Sequence, residues 1–134
     1  MMAPTLRKRE RMVSRKLIET LFSGGGSQSM AAFPLRVVYV NKERAHGEVP
    51  VQILISVPKK RFKHAVDRNR VKRQVREAYR LHKQVLYEAL ANEEKLLVAF
   101  VWLADEHRST QDVEKRVASL MQRMAEKLVV RDKK

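Results

Sequence analysis

The sequence contains no cysteine, so disulfide bridges, thiolate zinc sites and a cysteine nucleophile are excluded. No apolar run approaches the roughly 20 residues that span a membrane. The longest run extends from Leu96 to Ala104 and fits a buried strand. The basic N-terminus has no apolar segment behind it, so it does not resemble a secretory signal. We therefore expect a cytoplasmic protein without a membrane partner.

Recognisable catalytic groups are also lacking. The chain has no HExxH or GxSxG motif and no pair of carboxylates at a catalytic spacing. Its four histidines are scattered at His46, His64, His82 and His107. We expect no catalytic residue, no metal ligand set and no organic cofactor in this chain. If the protein takes part in catalysis, the reactive groups are expected to belong to a partner.

What the sequence does contain is positive charge, concentrated in two segments. The 134 residues include 29 basic and 15 acidic side chains, a formal net charge of +14. Residues 1–16 contribute six basic and one acidic side chain, and residues 58–83 contribute eleven and two. The rest of the chain holds equal numbers of each sign. Because two segments account for the whole net charge, the sequence predicts a surface that binds a polyanion.

Hydrophobic periodicity predicts the order helix, two or three strands, basic helix, strand, helix. A first helix would begin at Ser14 and end before three glycines at 24–26. FPLRVVYVN, from residue 33, and VQILISV, from residue 51, predict strands joined by a polar hairpin loop. LLVAFVWLA predicts a strand buried on both faces, and Ser109 opens an amphipathic last helix. This order is typical of an α+β sandwich with helices packed on one sheet.

We expect one domain over residues 1–134, which carries the polyanion-binding surface. A content of 44% hydrophobic residues is enough for a packed core. The basic segment 1–13 is expected to be flexible, and the tail 130–134 is expected to be frayed. The basic helix either continues or restarts through Tyr87 to Asn92.

The basic helix, predicted from about Ala65, has an apolar seam beside a cationic stripe. At 100° per residue, the seam consists of Val71, Val75, Ala78 and His82. The stripe covers an arc of about 140° and consists of Arg68, Asn69, Lys72, Arg73, Arg76 and Arg80. Neither Asp67 nor Glu77 falls in this arc, although charged helix faces usually mix signs. Guanidinium groups bind phosphate bidentately, so the stripe, which Lys59 and Lys60 extend, predicts contacts with a nucleic-acid backbone.

The segments SVPKK and AVDRNRVKRQVREAYR resemble motifs of the bacterial ribonuclease P protein family. The RNR box of that family is matched by Arg68, Asn69 and Arg70, and its K-R-x-x-R by Lys72, Arg73 and Arg76. Its S-V-x-K-K strand exit is matched by Ser56, Val57, Lys59 and Lys60. LRKRERMVSRKLIETLF resembles the family's opening, with Phe22 at its aromatic position and Ile18 where many members have a second aromatic. The resemblance covers roughly residues 6–103.

The resemblance implies a single-domain α/β sandwich with a left-handed βαβ crossover. It implies a ribonucleoprotein that removes the 5′ leader from precursor tRNA, with an RNA subunit as the catalyst and magnesium bound mainly by that RNA. The residues expected to contact the catalytic RNA are Lys59, Lys60, Arg68, Asn69, Arg70, Lys72, Arg73, Arg76 and Arg80. The residues expected to line a leader cleft are Phe22, Phe33, Arg36 and Tyr39. No obligatory protein partner is expected.

Other classes of protein share some of these features. A ribosomal protein would share the charge and size but would not require the RNR box. A helix-turn-helix regulator needs a second helix just before the recognition helix, yet a strand ending at Pro58 precedes it here. A membrane-surface helix would place Trp, Phe or Leu opposite the charges, and Val71, Val75 and Ala78 are smaller. A free-standing nuclease remains the enzymatic alternative.

Overall fold

The computed structural model of the chain describes residues 10–11, 15–23 and 26–132. Within these residues the elements are α1 (Arg15–Ser23), β1 (Gln28–Ala32), β2 (Leu35–Glu43), β3 (Val51–Ser56), α2 (Ala65–His82), α3 (Gln84–Ala89), β4 (Glu94–Trp102) and α4 (Thr110–Asp132). The predicted order and the α+β class are confirmed. Three strands precede the basic helix, and that helix ends and restarts as α3 after a single residue, Lys83.

The strands form one mixed sheet in the order β1-β2-β4-β3. β2 pairs antiparallel with both β1 and β4, and β3 pairs parallel with β4. The predicted hairpin between β2 and β3 is therefore wrong, because β4 lies between them. β4 is the most continuously apolar strand of the chain, so an interior position, with a neighbour on each edge, buries it best. The hairpin partner of β2 is β1 instead.

The main core lies between the sheet and the helices α2, α3 and α4. The predicted apolar stripe of α4 is buried throughout, and it consists of Val113, Val117, Leu120, Met121, Met124 and Leu128. Trp102 is 1% exposed and belongs to this core, as predicted. On the opposite face of the sheet, Leu21 of α1 packs against Val38, Leu97 and Ala99. Helices thus cover both faces, and this explains why β4 has no polar side.

The connection from β3 through α2 and α3 to β4 is a βαβ crossover, because β3 and β4 are parallel neighbours. Its left hand stays a prediction from the resemblance. The backbone N–H of Asp112 donates to Ser109 Oγ at 3.1 Å, so Ser109 caps α4 as predicted. α4 continues to Asp132, so residues 130–132 are helical where a frayed tail was expected. Ser14 and two of the three glycines, 24 and 25, lie outside the described residues.

Candidate nucleic-acid interface

The apolar seam of α2 fixes which side of the helix faces solvent. Its buried residues are Val71, Gln74, Val75, Ala78 and Tyr79. Gln74 is the polar member that the periodicity did not predict. Its side-chain nitrogen donates to the Arg108 carbonyl at 3.1 Å and to Thr110 Oγ1 at 3.2 Å, which ties α2 to the start of α4. The stripe of α2 is therefore held on the outer side of the helical layer.

Five predicted RNA-binding residues on α2 form the outward cationic surface. Asn69, Arg70 and Arg73 are exposed, and Lys72 and Arg76 are half-buried. Among the residues that the structure describes, no acidic side chain lies within ion-pair distance of these five. Neighbouring cations on one helix face repel each other, and within the described residues no acidic side chain offsets that repulsion. We call these five residues the α2 surface.

Two further arginines of the predicted stripe have partners within the chain. Glu77 lies outside the arc, as predicted, but its carboxylate reaches Arg80 and accepts a hydrogen bond from Arg80 Nε at 3.0 Å. This contact lowers the pKa of Glu77 and raises the pKa of Arg80. Arg68 Nη1 donates to the carbonyl oxygens of Phe62 and Lys63, each at 2.9 Å. Arg68 thus braces the segment that leads into α2.

That leading segment is also tied to the loop after β4. Arg61 pairs with Asp105 at 3.1 Å, and the Phe62 ring stacks on His107 with ring centres 4.5 Å apart. His107 Nε2 lies 3.0 Å from the Asp67 carboxylate. These contacts hold the exposed Lys59 and Lys60 beside the start of α2. The contact of these two lysines with a nucleic acid stays a prediction.

The N-terminal segment adds a cation that sequence reasoning did not single out. Arg11 forms a parallel bridge with Ile53, so it lies along the outer edge of β3. Burial lowers the pKa of Arg76, and the charges of Arg11 and Arg73 lower it further. The three guanidinium groups therefore share one region. The charge count of residues 1–16 includes Arg11, but only its pairing with a strand some forty residues away shows where it lies.

The four predicted leader-cleft residues do not share one surface. Phe22, 49% exposed, lies on α1, and Arg36 lies on the sheet face that α1 covers, where Arg36 Nε donates to Ser29 Oγ at 3.0 Å. Tyr39 is three positions from Arg36, so strand alternation turns it to the opposite face. There Tyr39 is 4% exposed, its hydroxyl donates to Gln28, and burial raises its pKa. The grouping of Tyr39 with Arg36 is thus wrong.

Phe33, the remaining cleft candidate, lies in the turn between β1 and β2. Its ring is 54% exposed, and the guanidinium carbon of Arg108 lies 5.3 Å from the ring centre. A cation over an aromatic face is a favourable contact. Arg108 also pairs with Glu106 and Asp112. The exposed ring of Phe33 therefore lies next to the Arg108 guanidinium, a contact that the sequence did not predict.

The described part of the chain holds neither a metal-ligand cluster nor a membrane-spanning helix. No group of three or more His, Cys, Asp or Glu side chains there could hold a metal ion. Between residues 10 and 132, apart from the gaps stated above, no helix is both long and apolar enough to span a bilayer.

Comparison with known proteins identifies the family. The family model described as Ribonuclease P matches residues 6–125. The ribonuclease P protein component of Porphyromonas gingivalis is 40% identical over 121 residues, which is 90% of this chain and 86% of that protein. The corresponding component of Chlorobaculum tepidum is 38% identical over 96 residues, 67% of this chain and 62% of that protein.

Solved structures agree on the fold. The RNase P protein from Thermotoga maritima superposes with a TM-score of 0.61 at 23% identity, covering 85% of this chain and 96% of that chain. An RNase P protein mutant of Staphylococcus aureus with defective mRNA degradation activity superposes with a TM-score of 0.63 at 22% identity, covering 89% and 90%. The chain therefore belongs to the ribonuclease P protein component family, and this membership gives it a role in ribonuclease P.

Proposed function

We propose that this chain binds the catalytic RNA of ribonuclease P and the 5′ leader of precursor tRNA. In this role it assists the RNA-catalysed endonucleolytic removal of the leader. The observation that supports the proposal most directly is the α2 surface, whose cations face outward without an acidic partner among the described residues. Family membership supports the choice of RNA rather than another polyanion.

The chemistry of the α2 surface suits a phosphate backbone. Arginine stays charged at every physiological pH and donates two parallel hydrogen bonds to phosphate oxygens. Asn69 both donates and accepts, so it can contact a base edge or a ribose hydroxyl. Lys59 and Lys60, exposed just before α2, extend the same surface. Each phosphate that is neutralised releases counterions, so binding is expected to weaken steeply with salt.

The leader is proposed to lie on the side of the sheet that carries α1. Phe22 offers an exposed ring on which a base can stack, and Arg36 offers a guanidinium to a phosphate. Phe33 is a second exposed ring, with the Arg108 cation against it. Tyr39 has no part in this proposal because its ring lies in the opposite core.

Catalysis is proposed to reside in the RNA partner, with magnesium bound mainly by that RNA. The cationic α2 surface repels a divalent ion, and the acidic side chains of the described residues do not converge in threes. The donor set on this surface therefore fits a phosphate and does not fit Mg²⁺. The part of the protein in this proposal is to bind and orient the two RNAs.

A cleavage assay with a matched pair of variants tests the proposal. Precursor tRNA is incubated with the protein alone, with the ribonuclease P RNA of the same organism alone, and with both. We expect no cleavage by the protein alone and stimulation of the RNA by the protein. The double variant Arg73→Ala/Arg76→Ala should weaken assembly with the RNA at least tenfold, since each charged contact contributes about 1–3 kcal/mol.

The control removes the same charge from two exposed positions of α4. Lys115 and Lys127 are exposed there, and Lys115→Ala/Lys127→Ala should change assembly by less than about threefold. RNA-free protein that produced the correct 5′ end, with no loss in the α2 variant, would indicate a free-standing nuclease. Binding without any stimulation of cleavage would favour a structural RNA-binding protein.

A further inference from the structure

Glu10 is a buried carboxylate whose partners include two side chains in the junction between α2 and α3. It is 3% exposed, and its oxygens accept hydrogen bonds from Lys83 Nζ at 2.9 and 3.0 Å and from the Tyr87 hydroxyl at 2.9 Å. The Lys83 ammonium also lies 5.5 Å from the centre of the Tyr87 ring. A buried charge is tolerated only where such partners compensate it. These contacts therefore fix the position of residue 10.

The position of Glu10 determines where the next residue lies. Arg11 runs parallel to β3 at its outer edge, and α2 must run back against β3 because β3 and β4 are parallel. The step from Glu10 to Arg11 thus leads away from Lys83, at the end of α2, towards the middle of that helix. Arg76 is seven residues before Lys83, which is about two turns, and so lies on the same side of α2. The backbone therefore follows Glu10 along the side of α2 that carries Arg76.

Arg11, Arg73 and Arg76 form a cationic group without an internal counterion. After burial, the charges of Arg11 and Arg73 further lower the pKa of Arg76, in agreement with this placement. Within the part of the chain that the structure covers, none of the three is within ion-pair distance of a carboxylate. Holding three guanidinium groups together is unfavourable unless an anion neutralises them, and a phosphodiester matches guanidinium geometry best.

We propose that Glu10 is a positioning residue that seats Arg11 beside Arg73 and Arg76, and that the three arginines form a binding site for an RNA phosphate. The inference rests on the proposed function. It assigns Arg11 to the same RNA-binding face as α2. It also gives an acidic side chain a favourable role in the binding of a polyanion.

The variant Glu10→Ala separates positioning from overall charge. It removes one of the 15 acidic side chains, so the formal net charge rises from +14 to +15. If affinity followed net charge alone, this variant would bind RNA more tightly. Under the proposal it binds about tenfold more weakly, as does Arg11→Ala. Glu88→Ala is the matched control, because Glu88 is exposed on α3 and its removal changes the charge equally; its affinity should stay within about twofold.

Binding to the ribonuclease P RNA is measured over a salt series for each protein. Arg11→Ala and Glu10→Ala should each reduce the slope of log K against log salt by about 0.7–0.9, the loss of one phosphate contact. The double variant Glu10→Ala/Arg11→Ala should bind the RNA no more weakly than Arg11→Ala alone, because both substitutions remove the same phosphate contact. Independent, additive losses would overturn the positioning role.

A third variant keeps the inference testable if Glu10→Ala fails to fold. Tyr87→Phe removes one hydrogen bond to Glu10 without changing any charge. We expect a loss of affinity in the same direction but smaller, about twofold to fivefold. Wild-type protein that binds the RNA tightly, with Arg11→Ala and Tyr87→Phe unchanged, would refute the inference and leave the proposed function intact. Wild-type protein that does not bind the RNA would refute the proposed function itself.

Discussion

Replacing Arg68 by alanine is expected to destabilise the fold, although Arg68 belongs to the predicted RNA-binding stripe. From the sequence alone, alanine at any stripe position would change the free energy of unfolding by within about 0.5 kcal/mol, as surface substitutions usually do. The structure shows instead that Arg68 Nη1 donates to two backbone carbonyls, of Phe62 and Lys63, at 2.9 Å each. Arg68 is therefore part of the framework that shapes the segment before α2.

The magnitude follows from the contact. A hydrogen bond from a charged donor contributes about 1.5–3 kcal/mol. Because one nitrogen serves both carbonyls and the side chain is half-buried, we count the interaction once, at about 2 kcal/mol. In a chain of this size, that loss lowers the melting temperature by roughly 6–8 °C. Arg73→Ala is the matched control, because Arg73 is exposed on the same helix, and its melting temperature should change by less than about 2 °C.

Thermal melts followed by circular dichroism, together with RNA-binding isotherms, test this distinction. We expect Arg68→Ala to melt low and Arg73→Ala to melt normally, while both lose RNA affinity. Arg68→Lys should recover only part of the stability, because an ammonium on a flexible stem replaces the planar donor. The reasoning is refuted if Arg68→Ala and Arg73→Ala melt within about 2 °C of each other.

Three further outcomes are expected. Val75→Asp should unfold the domain, because position 75 is fully buried and offers no partner to a carboxylate. Val66→Asp, at an exposed position of the same helix, should keep the native circular dichroism spectrum. RNA affinity should fall with salt with a slope of roughly −4 to −6 for six or seven neutralised phosphates, and a slope near −1 would exclude the α2 surface as the main contact. The hydrogen bond from Lys95 holds the pKa of Glu48 below its usual value, so this pair stabilises the fold at neutral pH and loses its effect as the carboxylate is protonated. The difference in unfolding free energy between wild type and Glu48→Gln should therefore close below about pH 4 in a urea titration series, and a difference that is constant with pH would contradict this assignment.

Local patterns in the sequence determined the elements and the basic face. The continuous apolar run of β4 predicts burial on both faces, and α1 on one side and the other helices on the opposite side provide it. The periodic stripe of α4 and three members of the α2 seam, Val71, Val75 and Ala78, were predicted correctly, because each helix buries one face whose residues are three and four positions apart. His82, the fourth predicted member, is half-buried and pairs with Glu114, while Gln74 and Tyr79 are buried in addition. The concentration of the net charge in residues 1–16 and 58–83 can likewise be read directly from the sequence.

Only the tertiary structure decided which distant groups meet. The insertion of β4 between β2 and β3 depends on packing across the whole sheet, so the local loop pattern wrongly favoured a hairpin. Strand alternation already separates Tyr39 from Arg36, and the packing adds which face carries α1 and which face carries the other helices. The contacts of Glu10 with Lys83 and Tyr87 join residues more than seventy positions apart. Hydrophobic periodicity shows which face of a helix or strand is buried. Which residues pack against that face depends on how all the elements fold together.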